Sequence, residues 1–102
     1  MSYEYSIKVE KGEVDIVLEI LRQSNFLIFE KNNCLAFKKE RDSSWFHDFR
    51  VFKINDKELF LEISVRNYEY YEMLKKSLRR CSYLITEHEG EEVISLEDVF
   101  RV

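Results

Sequence analysis

Apolar and polar residues alternate at the start of the chain, and this alternation predicts a β-strand with one buried face. The apolar positions recur every second residue, at Tyr3, Tyr5, Ile7 and Val9, which is the period of a half-buried strand. Gly12 ends this pattern. The next segment changes to a period of three and four, which predicts an amphipathic helix on the stripe Val14, Val17, Leu18 and Leu21. We expect this helix to end near Ser24-Asn25.

Two hairpins follow in the pattern. β-prone runs at 26–30 and 34–39 flank Asn32-Asn33, and asparagine tolerates the positive φ angles of tight hairpin turns. A polar, then aromatic, segment at 40–46 is predicted to be a loop. The runs 49–54 and 58–65 flank Asn55-Asp56 and predict the second hairpin. In the second run the alternation places Leu59, Leu61, Ile63 and Val65 on one side of the strand.

The C-terminal third predicts one more helix and one more strand. Asn67 is a good N-cap for a helix whose apolar face carries Tyr71, Leu74 and Leu78. A strand at 82–86 follows, then a turn around Gly90 and an extended pair, Val93-Ile94. Ser95 and Asp98 have the spacing of a capping box with Asp in place of Glu, so a short helix or a final strand ends the chain.

These elements predict a single α+β domain over residues 1–102. Their order is β-α-β-β-β-β-α-β with a short tail element. Because hairpins favour antiparallel pairing, we expect a mainly antiparallel sheet of about five to six strands, with two helices packed on one face.

Composition narrows the classes of function. Apolar residues make up 45% of the chain and the formal net charge is −4, which argues against non-specific nucleic-acid binding, since that depends on Lys and Arg. Cys34 and Cys81 are expected to be reduced, and their surroundings do not suggest a zinc site. Without a signal-like or membrane-spanning segment, we expect a cytoplasmic protein, and the sequence indicates no enzyme activity, cofactor or metal.

One acidic segment is the strongest candidate site. Between residues 87 and 98 the chain has no Lys or Arg and carries the carboxylates Glu87, Glu89, Glu91, Glu92, Glu97 and Asp98. Such a surface favours a basic protein partner, because opposite charges speed encounter and fix orientation. The alternative is a solvated segment, or one whose charges are balanced by the cations that end the preceding helix, namely Lys75, Lys76, Arg79 and Arg80.

A second candidate is the aromatic pair Trp45 and Phe46 in the polar loop. Large aromatic side chains anchor many protein interfaces, so the pair is a candidate partner-binding element. The alternative is that one ring folds back over the core.

Two further interpretations stay open. His47 and His88 form a candidate acid–base pair for a metal-independent ribonuclease, with Lys38, Lys39 or Arg50 to hold a phosphate. A basic and aromatic group is a candidate for binding RNA, with Phe52 and Phe60 stacking on unpaired bases; it consists of Lys38, Lys39, Arg41, Trp45, Arg50 and Lys53. The other interpretation is a small regulatory or ligand-binding domain that dimerises through a sheet edge.

In its size, its acidic balance, the 87–98 carboxylates and the aromatic pair Trp45-Phe46, the chain resembles the small immunity proteins of bacterial contact-dependent growth inhibition. The resemblance implies a monomer or weak dimer that binds and neutralises a cognate toxin domain, with a nuclease as the expected toxin. It implies no membrane association and no direct contact with nucleic acid.

Overall fold

The computed structural model describes residues 3–39 and 47–102, which form an α+β domain. In these residues the strands are β1 (Tyr3–Lys8), β2 (Leu27–Lys31), β3 (Cys34–Phe37), β4 (Phe49–Lys53), β5 (Glu58–Ile63), β6 (Leu84–Glu87) and β7 (Val93–Ile94). The helices are α1 (Glu13–Arg22), α2 (Tyr68–Leu78) and α3 (Leu96–Phe100).

All strand pairs within the described residues are antiparallel, and the strands form one sheet in the order β2-β3-β4-β5-β1-β6-β7. The predicted fold class is confirmed. The sheet has seven strands rather than five to six, partly because Val93–Ile94 pairs with β6. The N-terminal strand β1 lies between β5 and β6. It therefore joins the strands β2 to β5 on one side to the C-terminal strands β6 and β7 on the other.

The hydrophobic core lies between one face of the sheet and the helices, and we call this side the covered face. Alternate side chains are buried along β5 and along β1 from Tyr5 onward, as the period of two predicts, whereas Tyr3 at the start of β1 is 39% exposed. The sheet contributes, among others, Ile7, Leu35, Phe37, Phe49, Val51, Leu61 and Ile85, and the helices contribute Val17, Leu21, Tyr70, Leu74 and Val99.

The predicted local signals set the ends of the elements. Asn32 and Asn33 have φ angles of 53° and 65° in the β2–β3 turn, which is the left-handed region that tight hairpin turns require. The side chain of Asn67 accepts a hydrogen bond of 2.7 Å from the backbone N–H of Glu69 and caps α2. Gly12, with φ of 86°, precedes α1.

A buried hydrogen bond joins the sheet to α2. Asp48, just before β4, accepts from the Tyr70 hydroxyl at 2.6 Å and from the Lys39 backbone N–H at 3.1 Å. Burial, followed by this hydrogen bond to a carboxylate, raises the pKa of Tyr70. The backbone carbonyl of Asp48 also accepts from the backbone N–H groups of Ser64 and Val65, which follow β5. Asp48 therefore joins the start of β4 to the end of β5 and to α2.

The opposite side of the sheet carries no helix in the described part of the chain, and we call it the open face. Its central row crosses six strands in register as Cys34, Phe52, Phe60, Ser6, Thr86 and Val93. A second row, in the order Ala36, Arg50, Glu62, Glu4, His88, lies beside it. The open face thus has an uncharged central strip with charged residues on both sides of it, since Lys8 and Glu58 lie opposite each other in the row beyond.

Candidate functional site

The acidic segment forms the β6–β7 turn at one edge of the sheet. The turn closes through a 2.8 Å hydrogen bond from the Gly90 N–H to the Glu87 carbonyl. Glu89 takes the left-handed conformation with φ of 65°. A Cβ at position 90 would lie 3.2 Å from the Glu87 carbonyl oxygen, a tight contact that glycine avoids. The turn lies at the edge of the sheet, and its carboxylates are solvent-exposed.

Four of the predicted site residues in this turn are solvent-exposed: Glu87, Glu89, Glu91 and Glu92. In residues 3–39 and 47–102, the single ion pair within 4 Å that involves any of them joins Glu89 to the imidazole of His88 at 3.9 Å. No ion pair in these ranges connects the turn to the cations of α2. The second helix therefore does not neutralise this end of the acidic segment.

The other two predicted acidic residues have structural contacts. The Tyr71 hydroxyl donates a 2.5 Å hydrogen bond to Glu97, and this bond lowers the pKa of the Glu97 carboxyl. Asp98 and Ser95 form a reciprocal capping box at the start of α3. The structure therefore divides the acidic segment into a free half, 87–92, and a half used to fix α3.

Trp45 and Phe46 lie outside the described residues, as does the whole predicted loop at 40–46. Their role as interface anchors stays a prediction.

Aromatic rings line the middle of the open face and continue toward the acidic turn. Phe52 and Phe60 pack edge to face with ring centroids 5.8 Å apart, and the His88 ring lies 5.0 Å from Phe60 on its other side. His88 directly precedes Glu89. The free carboxylates and the aromatic row therefore belong to adjacent surfaces.

A charged cluster lies beside the aromatic row. Arg50 donates to both carboxylate oxygens of Glu62 at 2.8 and 2.9 Å, and His47 Nε2 lies 3.2 Å from the same carboxylate. Burial opposes the charged form of Glu62, but the hydrogen bonds from Arg50 and His47 outweigh it and lower the pKa of this carboxyl. Arg50 also stands 5.0 Å from the centre of the Phe52 ring. The charges of Arg50 and Glu62 therefore compensate each other within the cluster.

Sequence reasoning missed several apolar side chains on the open face. Ile54, Leu84 and Val93 are each more than half exposed, and Phe29 is 48% exposed. Each lies beside an open-face residue of the neighbouring strand. The sequence did carry a signal for this apolar surface. In a sheet with one exposed face, the strand positions on that face are usually polar, and these apolar residues occupy such positions.

The residues proposed for RNA chemistry do not converge. Lys39 pairs with Glu69 at 2.5 Å, Lys53 with Asp15 at 2.8 Å, and Arg50 with Glu62. His47 contacts Glu62, whereas His88 contacts Phe60 and Glu89. Cations that are already paired with carboxylates are poor phosphate ligands, so this geometry gives the nucleic-acid interpretation little support.

The described residues contain no group of three or more His, Cys, Asp or Glu side chains arranged to hold a metal ion. Cys34 and Cys81 are free thiols, and burial is the main cause that raises the pKa of each. A raised thiol pKa lowers the thiolate fraction, which is the reactive form. Neither cysteine has the environment of an activated nucleophile.

None of the helices in the described ranges is long and apolar enough to cross a bilayer. No protein-family model matches the chain, and no curated protein matches it either.

Proposed function

We propose that this chain is an immunity protein that binds and neutralises a basic toxin domain, with a nuclease as the toxin class. The observation that carries the proposal is the free half of the acidic segment. Glu87, Glu91 and Glu92 are exposed and have no cationic partner within 4 Å among the described residues, and Glu89 has only His88.

The chemistry of a nuclease gives these carboxylates a purpose. A nuclease holds the phosphates of its substrate with Lys and Arg, so its active-site cleft is cationic. A protein that presents carboxylates on a projecting turn is complementary to such a cleft, and the attraction raises the association rate. Inhibition then follows from occupying the surface that the nucleic acid needs. Because that substrate is intracellular, the proposal places the inhibitor in the cytoplasm.

The turn suits this task mechanically as well. It connects two paired strands, and Thr86 and Val93 pair across its base. Carboxylates on a short, hydrogen-bonded turn lose less conformational freedom on binding than carboxylates on a long loop would.

The test uses the toxin domain encoded by the neighbouring gene, if that gene encodes a secreted protein with a variable C-terminal domain. Glu91→Lys combined with Glu92→Lys should lower the association rate with this domain by roughly tenfold or more in stopped-flow mixing at low salt. The loss should shrink as the salt concentration rises, since the Debye length falls to about 8 Å at 0.15 M.

The control variant changes the net charge by the same amount, but at the end of β1 opposite to the acidic turn. Glu10 and Asp56 are both exposed and lie near the C-terminal end of that strand, so Glu10→Lys with Asp56→Lys should leave the association rate within about twofold. If both double variants slow association equally, net charge and not the acidic turn is responsible. A neighbouring gene with no toxin-like product would remove the basis for the immunity interpretation.

A further inference from the structure

The open face is a surface of the right size and charge for a second copy of the same chain. We propose that the protein forms a twofold dimer by packing this face against itself, with the axis running along the strands between β4 and β5. The dimer does not rest on the proposed toxin binding, because it uses a different surface.

The edges of the sheet are poor places for dimerisation, contrary to the sheet-edge dimer considered from the sequence. The edge strand β7 has two residues. At the other edge, the pairing of β2 shifts register between Leu27 and Phe29, and the strand ends in Lys31. Short, irregular and lysine-bearing edges discourage strand addition. Self-association through the face avoids both edges.

Within the described ranges, the six charged side chains of the open face sum to zero. Lys8 lies opposite Glu58 and Arg50 is paired with Glu62, while the remaining two, Glu4 and Lys31, are of opposite sign. A face of this kind can meet its own copy without a net charge clash, whereas the free half of the acidic segment cannot. Charge therefore separates the two surfaces, with the open face suited to self-association and the acidic turn to a basic partner.

The strand order identifies the axis. The axis lies between the two packed faces, parallel to the strands and above the gap between β4 and β5. It places β4 over the partner's β5, β3 over its β1, and β2 over its β6. Residues of one row then face the same row of the other copy. Phe52 meets the second copy's Phe60, and Arg50 meets its Glu62. Moving the axis to lie between β5 and β1 would instead oppose Glu62 and Glu4.

This arrangement leaves β7 and the acidic turn outside the overlapped strands. Six strands spaced about 4.8 Å apart, each about five residues long at about 3.3 Å per residue, cover roughly 450 Å² in projection. The accessible area of a side-chain surface exceeds its projection, so the contact lies toward the low end of the usual range near ~800 Å² per partner. We therefore expect a dissociation constant in the micromolar range.

The test is sedimentation and light scattering of the purified chain from low micromolar to several hundred micromolar concentration. The mass should rise from that of one chain to that of two. Ser6→Arg places a charge in the central row opposite the partner's Cys34 without removing an apolar contact, and it should weaken dimerisation by at least tenfold. Thr86→Arg, which faces the partner's Lys31, should do the same and serves if Ser6→Arg fails to fold by circular dichroism.

Two controls fix the location of the interface. Val93→Arg changes an exposed apolar residue in the same row, but on β7, so it should leave the dissociation constant within about threefold. Ile16→Arg changes an equally exposed residue on α1 and should also have no effect. A chain that stays monomeric at all concentrations overturns the proposal, and so does a dimer that both Ser6→Arg and Thr86→Arg leave intact. Loss of dimerisation in Val93→Arg would overturn the proposed axis.

Discussion

The two faces of the sheet are built from the same strands and differ in almost every other respect. On the covered face, Leu59, Leu61 and Ile63 of β5 are fully buried under the helices. On the open face the same strand shows Glu58, Phe60 and Glu62, which are only partly buried. The covered face supplies most of the hydrophobic core, whereas the open face is the surface that we propose for self-association.

The polar groups of the two faces follow the same division. On the covered face, the Tyr70 hydroxyl donates a buried hydrogen bond to Asp48. The open face has a cluster of three charged or titratable side chains, His47, Glu62 and Arg50, at the surface. A buried polar contact fixes the packing of α2 on the sheet, whereas a compensated surface cluster lowers the cost of covering that surface with a partner.

Truncation of one leucine on each face gives the largest expected difference in the free energy of unfolding between the two faces. Leu61→Ala removes a fully buried side chain and should lower the free energy of unfolding by about 3 kcal/mol. Leu84→Ala removes a side chain that is 56% exposed and should cost less than about 0.5 kcal/mol. Urea unfolding at low micromolar concentration measures both. Equal costs would show that the open face also contributes to the core.

Removal of the Tyr70 hydroxyl gives the next largest effect on the free energy of unfolding, and it also changes how stability depends on alkaline pH. Tyr70→Phe leaves Asp48 without its hydroxyl donor and should cost about 1–2 kcal/mol at pH 7. The raised pKa of Tyr70 means that the unfolded chain loses this proton first, so the wild-type protein should lose stability as the pH rises past about 10. Tyr70→Phe should lose less over that range.

Tyr68 provides the matched control for Tyr70, because it is 60% exposed at the start of the same helix. Tyr68→Phe should change the free energy of unfolding at pH 7 by no more than a few tenths of a kcal/mol. A similar cost for both variants in urea titrations would contradict the role assigned to the Tyr70–Asp48 hydrogen bond.

The charged cluster on the open face should give the opposite pH dependence, with a smaller effect. Glu62→Gln should cost about 1 kcal/mol at pH 7, since the cluster is partly solvated. The pKa of Glu62 is lowered on folding, so its contribution is complete above the ordinary Glu value of about 4.3 and is lost as the pH falls further. The stabilities of the two proteins should therefore converge as the pH falls below that value. A constant difference from pH 7 to 3 would rule out the ion pairs as the cause.

Local signals in the sequence predicted much of the fold. The period of two along β1 and β5 identified the buried side chains except at Tyr3, which is exposed at the start of β1, since a strand sends alternate side chains to opposite faces. Asn32-Asn33 and Asn67 marked a turn and a helix start because their short amide side chains suit positive φ angles and N-caps. These features depend on residues within a few positions of one another.

The strand order and the division of the acidic segment depend on contacts between residues that are far apart in the chain. Local sequence patterns do not predict such contacts. Nothing in the pattern of β1 indicates that it lies between β5 and β6. The hydrogen bond from Tyr71 to Glu97 joins residues 26 positions apart, so Glu97 was counted with the free carboxylates. Asp98 is different, because its capping-box spacing with Ser95 was recognised and already implied a structural role.

The smallest predicted effect separates the two halves of that segment. Glu97→Gln replaces a charged acceptor of the Tyr71 hydroxyl by a neutral one, and hydrogen bonds to charged acceptors are the stronger kind. It should lower the melting temperature slightly at pH 7, with the difference disappearing at acidic pH as the wild-type carboxyl protonates. Glu91→Gln changes no intramolecular contact within the described residues and should leave the melting temperature unchanged. If Glu91→Gln were the more destabilising variant, its carboxylate would have a structural role, and the reason for assigning the free half to partner recognition would disappear.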